Sequence, residues 1–294
     1  MNIFRISPTL ACILAAALCA SCVKENTEKC VLYEVRMRVV DNQGNDLTES
    51  GVLEKAEVYL FNEEGFVRMV PAGTVPELLI GEDRDERLTL VAWGNLKEDT
   101  LVTTDIRRGT PPEEARLQLR QQEGGTHIPV TDLFYCRKEV QQAVTRSVGT
   151  AEVTLVMERV AAEVSIRTRY MAQRYPYTGE PYRIIVRCAA TEMDFTGKAA
   201  GDGAGYEPAS TTDEAGDVSA PPFRIFPTEE GERIEIDICR GSGKLCTVAE
   251  GNDFKPLYAP AGMHTEIVID FREAQPKTTL TVHPWGEMGQ ETEM

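Results

Sequence analysis

The sequence lacks the residue patterns that most protein metal sites require. From Cys22 onward it contains no Cys-x-x-Cys motif, and its three histidines, His127, His264 and His283, are widely separated along the chain. Zinc sites are usually built from closely spaced cysteines and histidines, so we predict no metal site. Only 7% of the residues are aromatic and two are tryptophan, which leaves little material for a surface that stacks on sugar rings.

Motifs for nucleotide binding and nucleophilic catalysis are also missing. No Gly-x-Ser-x-Gly occurs, Gly241-Ser242-Gly243-Lys244 lacks the spacing of a Walker loop, and the glycines at 201, 203 and 205 do not complete Gly-x-Gly-x-x-Gly. We therefore predict no catalytic residue, no cofactor and no enzymatic activity. The alternative is a hydrolase, since any two of the 47 acidic residues that met in a cleft would suit glycoside hydrolysis.

Positive charge is scarce. The formal net charge is -16, and it becomes -17 without residues 1–21, whose one charged side chain is Arg5. A surface this acidic argues against nucleic acid or an anionic lipid surface as a partner. After the first 21 residues no hydrophobic stretch is long enough to span a membrane, which takes about 20 apolar residues.

The N-terminus has the pattern of a secretory signal peptide. Arg5 precedes an apolar run from Leu10 to Leu18, and the small residues Ala20 and Ser21 come directly before Cys22. This ending resembles a bacterial lipobox, although Cys19 occupies the place usually held by leucine. We expect cleavage after residue 21, acylation of Cys22 and a short tether over 22–30. The alternative is an ordinary signal peptide with an incidental cysteine.

Five further cysteines follow Cys22, an odd number. Disulfides are permitted outside the cytoplasm. Cys239 and Cys246 could close a hairpin if their Cα atoms lie within about 7 Å, and they form the one candidate pair.

Most of the chain alternates between apolar and polar residues, as half-buried strands do. The pattern predicts strands over 31–40, 56–61, 66–70, 88–93, 153–157, 160–166, 182–187, 223–226, 233–239, 265–271 and 278–282. One helix is predicted at 111–122, because Pro111 precedes two glutamates. Residues 197–222 are rich in glycine, alanine, serine and aspartate, which indicates a long mobile loop.

Many short strands with little helical periodicity indicate an all-β protein of the sandwich type. We place a domain boundary near Gly149, giving an N-terminal domain over 31–149 and a C-terminal domain over 150–294. Trp93 ends an apolar strand, which favours core packing over a ligand platform. A cluster of tyrosines has two possible uses, stacking on a sugar or packing on the end of the sandwich. Its members are Tyr170, Tyr175, Tyr177 and Tyr182.

Several motifs, in order, carry a family likeness. They are Cys22 followed by Cys30 and then a strand at once, Val58-Tyr59-Leu60-Phe61-Asn62-Glu63-Glu64-Gly65-Phe66, Leu90-Val91-Ala92-Trp93-Gly94-Asn95-Leu96, and the strand pair over 153–164. The chain resembles the fimbrial anchor subunits of Bacteroidales, the FimB type of fimbrillin-associated anchor lipoprotein. The resemblance implies two transthyretin-like Greek-key β-sandwich domains in tandem, lipid-anchored on the outer membrane at the base of a fimbrium.

The resemblance also implies a fimbrial shaft subunit as partner. In such assemblies a neighbouring subunit supplies a missing strand, so an anchor that keeps its lipid should keep its first strand, Val31–Val40. The contact is then expected at the C-terminal strand, Thr278–Trp285, through Thr279, Leu280, Thr281, Val282, His283 and Trp285. The alternative is that this strand completes its own domain.

Two other functions compete with the anchor role. The chain could be a surface lipoprotein that binds glycans, which would need a cluster of exposed aromatic side chains on one sandwich face. It could also be a shaft or tip subunit of a fimbrium. The choice between anchor, shaft and tip depends on whether the first strand is removed and whether the C-terminal strand is donated to a neighbouring subunit.

Overall fold

A computed structural model describes residues 30–73, 77–83, 87–140, 150–188, 190–201, 203–228 and 231–286. The strands in these ranges are β1 (Cys30–Val40), β2 (Ala56–Asn62), β3 (Gly65–Gly73), β4 (Glu77–Asp83), β5 (Leu88–Gly94), β6 (Leu101–Thr103), β7 (Arg116–Leu119), β8 (Phe134–Val140), β9 (Thr150–Arg159), β10 (Ala162–Arg169), β11 (Tyr182–Cys188), β12 (Glu192–Asp194), β13 (Ala199–Ala200), β14 (Ala204–Tyr206), β15 (Thr211–Thr212), β16 (Val218–Ile225), β17 (Glu235–Arg240), β18 (Gly243–Val248), β19 (Met263–Asp270) and β20 (Lys277–Pro284). One short helix, α1 (Met171–Arg174), and a 3-10 turn at Thr48–Ser50 complete them. The predicted all-β class is confirmed.

None of the helices in these ranges has the length and apolar character needed to cross a membrane.

The first sheet has seven strands in the order β3-β2-β5-β8-β9-β1-β4. Every neighbouring pair is antiparallel except β1 and β9, which run parallel. One face forms a single core that includes Ala72 near one edge and Ile80 near the other. A sheet can bury both edges in one core only by curling. The two edge strands do come together, because Arg68 of β3 donates a hydrogen bond to the carbonyl of Gly81 in β4 at 3.2 Å.

β9 lies in this first sheet, although the sequence assigned it to the second domain. Val153, Leu155 and Met157 face the same core as the first strand, because they occupy alternate positions of one extended segment. The predicted boundary near Gly149 is outside the described residues, so the two-domain division stays a prediction. From Ala162 onward the second half of the chain forms two sheets of its own and shares a small one with the first half.

The second half packs two sheets face to face. One has the order β15-β16-β10-β19-β20 and the other β14-β11-β17-β18. Within the first of these, β10 and β19 run parallel and the other pairs are antiparallel. Buried isoleucines and valines from alternate positions of β10, β11, β17 and β19 fill the space between the sheets, the arrangement of a β-sandwich.

A small sheet joins the two halves. Its order is β13-β12-β7-β6, with Met193 of the second half opposite Leu117 of the first. Trp93 is fully buried beneath it, with ring centroids 4.7 Å from Tyr135 and 5.8 Å from Phe195. Core packing, the use of Trp93 favoured from the sequence, is confirmed.

The predicted helix at 111–122 is wrong. Leu117 and Leu119 are buried while Gln118 between them is exposed, which is the period of a strand, and Pro111 opens only a turn. The predicted loop at 197–222 is also wrong, because β13, β14, β15 and the first half of β16 lie within it. Tyr206 in β14 is fully buried.

Candidate anchoring and partner-binding site

The first strand, β1, is held on both sides. Residues 30–36 pair with β4, and residues 32–40 pair with β9. Tyr33, Val35, Met37 and Val39 are all buried. Every backbone group along the middle of β1 therefore faces a neighbouring strand, and the strand has no free edge there.

The C-terminal end of β1 is tied to the turn that follows it. The N–H of Val39 donates to Thr48 Oγ1 at 3.0 Å, and the N–H of Leu47 donates to the carbonyl of Val39 at 2.8 Å. Hydrogen bonds from Thr48, and then from Arg38, hold the pKa of Asp46 at about 2. The turn thus stays ordered around an ionised carboxylate. Cys22, the predicted lipidation site, is outside the described residues.

The C-terminal strand, β20, lies at the edge of its five-stranded sheet. It pairs antiparallel with β19 over eight residues without a bulge, from Met263 opposite Pro284 to Asp270 opposite Lys277. Thr278 is buried and Leu280 packs against the core, whereas Thr279 and Thr281 are exposed on the other face. The strand thus fills a place in its own sandwich, the alternative that the sequence left open.

Asn252 holds the beginning of β20. Its N–H donates to the carbonyl of Thr278 at 2.8 Å, and its Oδ1 accepts the N–H of Thr278 at 2.8 Å. Beside this contact is a cleft of about 350 Å³, lined by the loop over 251–258 and by Thr278, Thr279 and Leu280.

Trp285 holds the other end. The Arg159 guanidinium lies 4.4 Å from the centroid of the Trp285 ring and 5.0 Å from that of Phe134. Arg159 donates two hydrogen bonds to the Asp132 carboxylate, at 2.5 and 2.8 Å. Arg224 approaches the same indole at 5.3 Å. Trp285, which follows β20, is therefore packed onto Arg159, the last residue of β9.

A hydrogen-bonded chain of side chains crosses β10 and β19 close to His283. Ser165 Oγ lies 2.9 Å from His264 Nε2, and His264 Nδ1 lies 2.8 Å from Glu163 Oε1. The order resembles a serine hydrolase triad. However, the bulge opposite Ser165 in β16 is formed by Pro221 and Pro222, which have no N–H to bind an oxyanion.

The tyrosines do not form one surface. Tyr182 is buried and its hydroxyl donates to the carbonyl of Tyr175, and Tyr175 packs edge-on against Phe271 at 5.7 Å. Tyr177 and Tyr170 are the exposed pair. Packing on the sandwich end accounts for two of the four rings.

Cys239 and Cys246, the candidate disulfide pair, are both free cysteines in the structure. Cys246 lies opposite Ile238 and packs against the core, whereas Cys239 lies opposite Lys244 on the other face of β17. Burial raises the pKa of both thiols. Among the described residues no three histidine, cysteine or acidic side chains lie close enough to hold a metal ion.

Sequence reasoning found β20 but missed the residues that fix it. Asn252 and Arg159 are distant from β20 in the chain and belong to no motif, so a sequence signal for their role is lacking. They become visible only when the sheets are assembled.

Comparison with known proteins identifies the family. The model for fimbrillin-A associated anchor proteins Mfa1 and Mfa2 matches residues 26–291. Two major fimbrium anchoring subunits FimB from Porphyromonas gingivalis are 23% and 22% identical over 300 residues, covering 96% of this chain and 95% of each relative. The solved fimbrial anchor protein Mfa2 from the same species has the same fold, with a TM-score of 0.65, 14% identity, and coverage of 87% of this chain and 98% of that one. The chain therefore belongs to the family of fimbrillin-A associated anchor proteins Mfa1 and Mfa2.

Proposed function

We propose that this protein is an outer-membrane lipoprotein that terminates a fimbrium at its base and holds it on the cell, where the fimbrium supports adhesion. Membership of the anchor family supports the fimbrial role. Ala20-Ser21-Cys22 supports acylation at Cys22, with palmitate as one of the acyl chains. Several chains, at about 0.8 kcal/mol per buried CH2, hold a protein firmly on a membrane.

The observation that carries the terminal role is the position of β1. A subunit that is extended from its N-terminal side must offer a groove to an incoming strand, and here β1 fills that place between β4 and β9. A first strand that is retained together with its lipid makes the chain an end of the polymer. The shaft subunit then meets the C-terminal side, through Thr279, Leu280, Thr281, Val282, His283 and Trp285. The role needs no catalysis.

Intact-mass analysis tests this proposal. The protein is taken from its native membrane together with the fimbriae that co-purify with it, and a Cys22→Ala variant is the control. We expect an acylated N-terminus at Cys22 in a chain that retains β1, and fimbriae shed into the medium by the variant. A chain cut after Val40 would instead make the protein a shaft or tip subunit, and a lipoprotein without fimbriae would favour glycan binding.

A further inference from the structure

The outer edge of β20 has backbone groups that the described chain leaves without partners. Successive residues of a strand point their N–H and C=O groups to opposite sides. Both groups of Thr278 point away from β19, because both bond to Asn252. The groups of Leu280 and Val282 must therefore point the same way. β20 is the last strand of its sheet, so no described strand lies beyond them.

The strand itself is fixed at both ends. Donating β20 to another subunit would break its pairing with β19, the two bonds to Asn252 and the stacking of Trp285 on Arg159. Accepting a strand at the outer edge would break none of these. Among the described residues, Asn252 alone bonds to the backbone of this edge, and it does so at Thr278, the first buried residue of β20.

The surroundings of the edge suit an extended peptide. The cleft of about 350 Å³ opens next to Leu280, and Pro256, Leu257 and Tyr258 line it. Leu280 and Val282 are both only half-buried, so the sandwich is incomplete on this side. In strand addition the backbone provides affinity and alternate side chains fill pockets.

We propose that β20 stays in its own sheet and that its outer edge from Leu280 to Pro284 accepts an extended segment of the fimbrial shaft subunit. The segment carries apolar side chains at alternate positions, and one of them enters the cleft beside Leu280. The identity of the partner rests on the proposed function; the acceptor edge rests on the geometry. The sequence predicts that this strand is either donated or serves for docking, and this inference assigns it the docking role.

The test measures capture of fimbriae, sheared from the cells that make this protein, by the immobilised full-length mature chain. Val282→Pro removes one outward N–H and adds a ring at the edge without touching a bond to β19, a position where strands tolerate proline. We expect capture to fall about tenfold, as for the loss of a well-formed hydrogen bond with added steric exclusion. Val282→Ala keeps the N–H and should lose much less. Thermal melting checks that both variants fold.

A disulfide between β19 and β20 separates acceptance from donation. Thr265 and Val282 are cross-strand neighbours in a pair that is not hydrogen-bonded, where Cα atoms lie about 4.5 Å apart and a disulfide fits. Thr265 is buried, and its hydroxyl has no hydrogen-bond partner, so cysteine suits that position. The oxidised Thr265→Cys/Val282→Cys protein should capture fimbriae as well as its reduced form does.

Each result has one meaning. Loss of capture on oxidation would overturn the proposal and indicate that the strand is donated. Undiminished capture by a folded Val282→Pro variant would also overturn it, because the fimbriae would then bind at another surface. Self-association that Val282→Pro abolishes would assign the edge to a second copy of this chain and would also overturn it. If the unmodified chain captures no fimbriae, the proposed function itself fails.

Discussion

Removing the guanidinium of Arg159 should destabilise the protein more than removing any exposed arginine. The side chain of Arg159 is 6% exposed and that of its partner Asp132 is 19% exposed. Arg159→Ala leaves the carboxylate without its two hydrogen bonds, and breaking a buried pair costs about 3–5 kcal/mol. The contacts with Phe134 and Trp285 add about 0.5–1 kcal/mol each, while the exposed fraction of Asp132 reduces the total. We expect a loss of about 4 kcal/mol.

The control is Arg38→Ala. Arg38 also pairs with an aspartate, Asp46, but both side chains are about half exposed, at 49% and 51%, and an exposed ion pair contributes little to stability. Urea unfolding followed by fluorescence and circular dichroism gives the free energy of unfolding for each variant. Hydrogen exchange then reports on β20, whose amides should lose protection in Arg159→Ala alone. Equal losses in the two variants would refute the reasoning.

Three further results are expected. Burial raises the pKa of Cys188 to about 12, so iodoacetamide at pH 8 should alkylate this thiol in unfolded protein and leave it unmodified in native protein, as peptide mass mapping would show. Burial alone would raise the pKa of Asp237, but the hydrogen bond from Thr247 and a neighbouring arginine lower it below 3.8. The ionised carboxylate therefore contributes its full stability above pH 3.8, and this contribution is lost as the pH falls through the pKa of the folded state. The free energy of unfolding of Asp237→Asn, measured in an acid titration, should depend less on pH than that of the unmodified protein. Gly197 has φ +87°, and a Cβ there would lie 2.7 Å from the Tyr135 ring, so Gly197→Ala should lower the free energy of unfolding by about 1–3 kcal/mol, measured by denaturant titration.

Strands with strict alternation were predictable because one sheet face is buried and the other is not. The first strand was expected at 31–40 and is observed at Cys30–Val40, and the last was expected at 278–282 and is observed at Lys277–Pro284. Alternation is a local property of one strand, so it can be recognised in the sequence without knowing the partner strand.

The errors come from pairings between distant parts of the chain. Pro111 and the glutamates after it have the composition of a helix start, but Leu117 pairs with Met193 in a strand of the second half, and tertiary pairing outweighs weak helix propensity. Gly205 belongs to a strand because β14 pairs with β11, where Gly205 lies opposite Arg187. A glycine-rich composition carries no sign of that contact.

The candidate site, too, could be predicted from the sequence only in part. The sequence predicts a C-terminal strand with one apolar face, but it does not show which edge of that strand is free. That property depends on Asn252 from the preceding loop, on Arg159 from the first sheet and on the order of strands in the sheet. A strand that could be donated and a strand that accepts have the same alternation, so only the assembled sheet distinguishes them.

The two ends of the described chain differ in what they can offer a partner. β1 has a strand on each side, so exchanging it would require two ladders of hydrogen bonds to open together, and a single added segment could not replace both. β20 has a strand on one side, so a segment added on the other gains hydrogen bonds without breaking any. Addition is therefore favoured at the C-terminal edge and opposed at the N-terminal strand. Of these two strands, only β20 can therefore be joined by a segment without breaking existing pairs, which suits the last member of a chain of subunits.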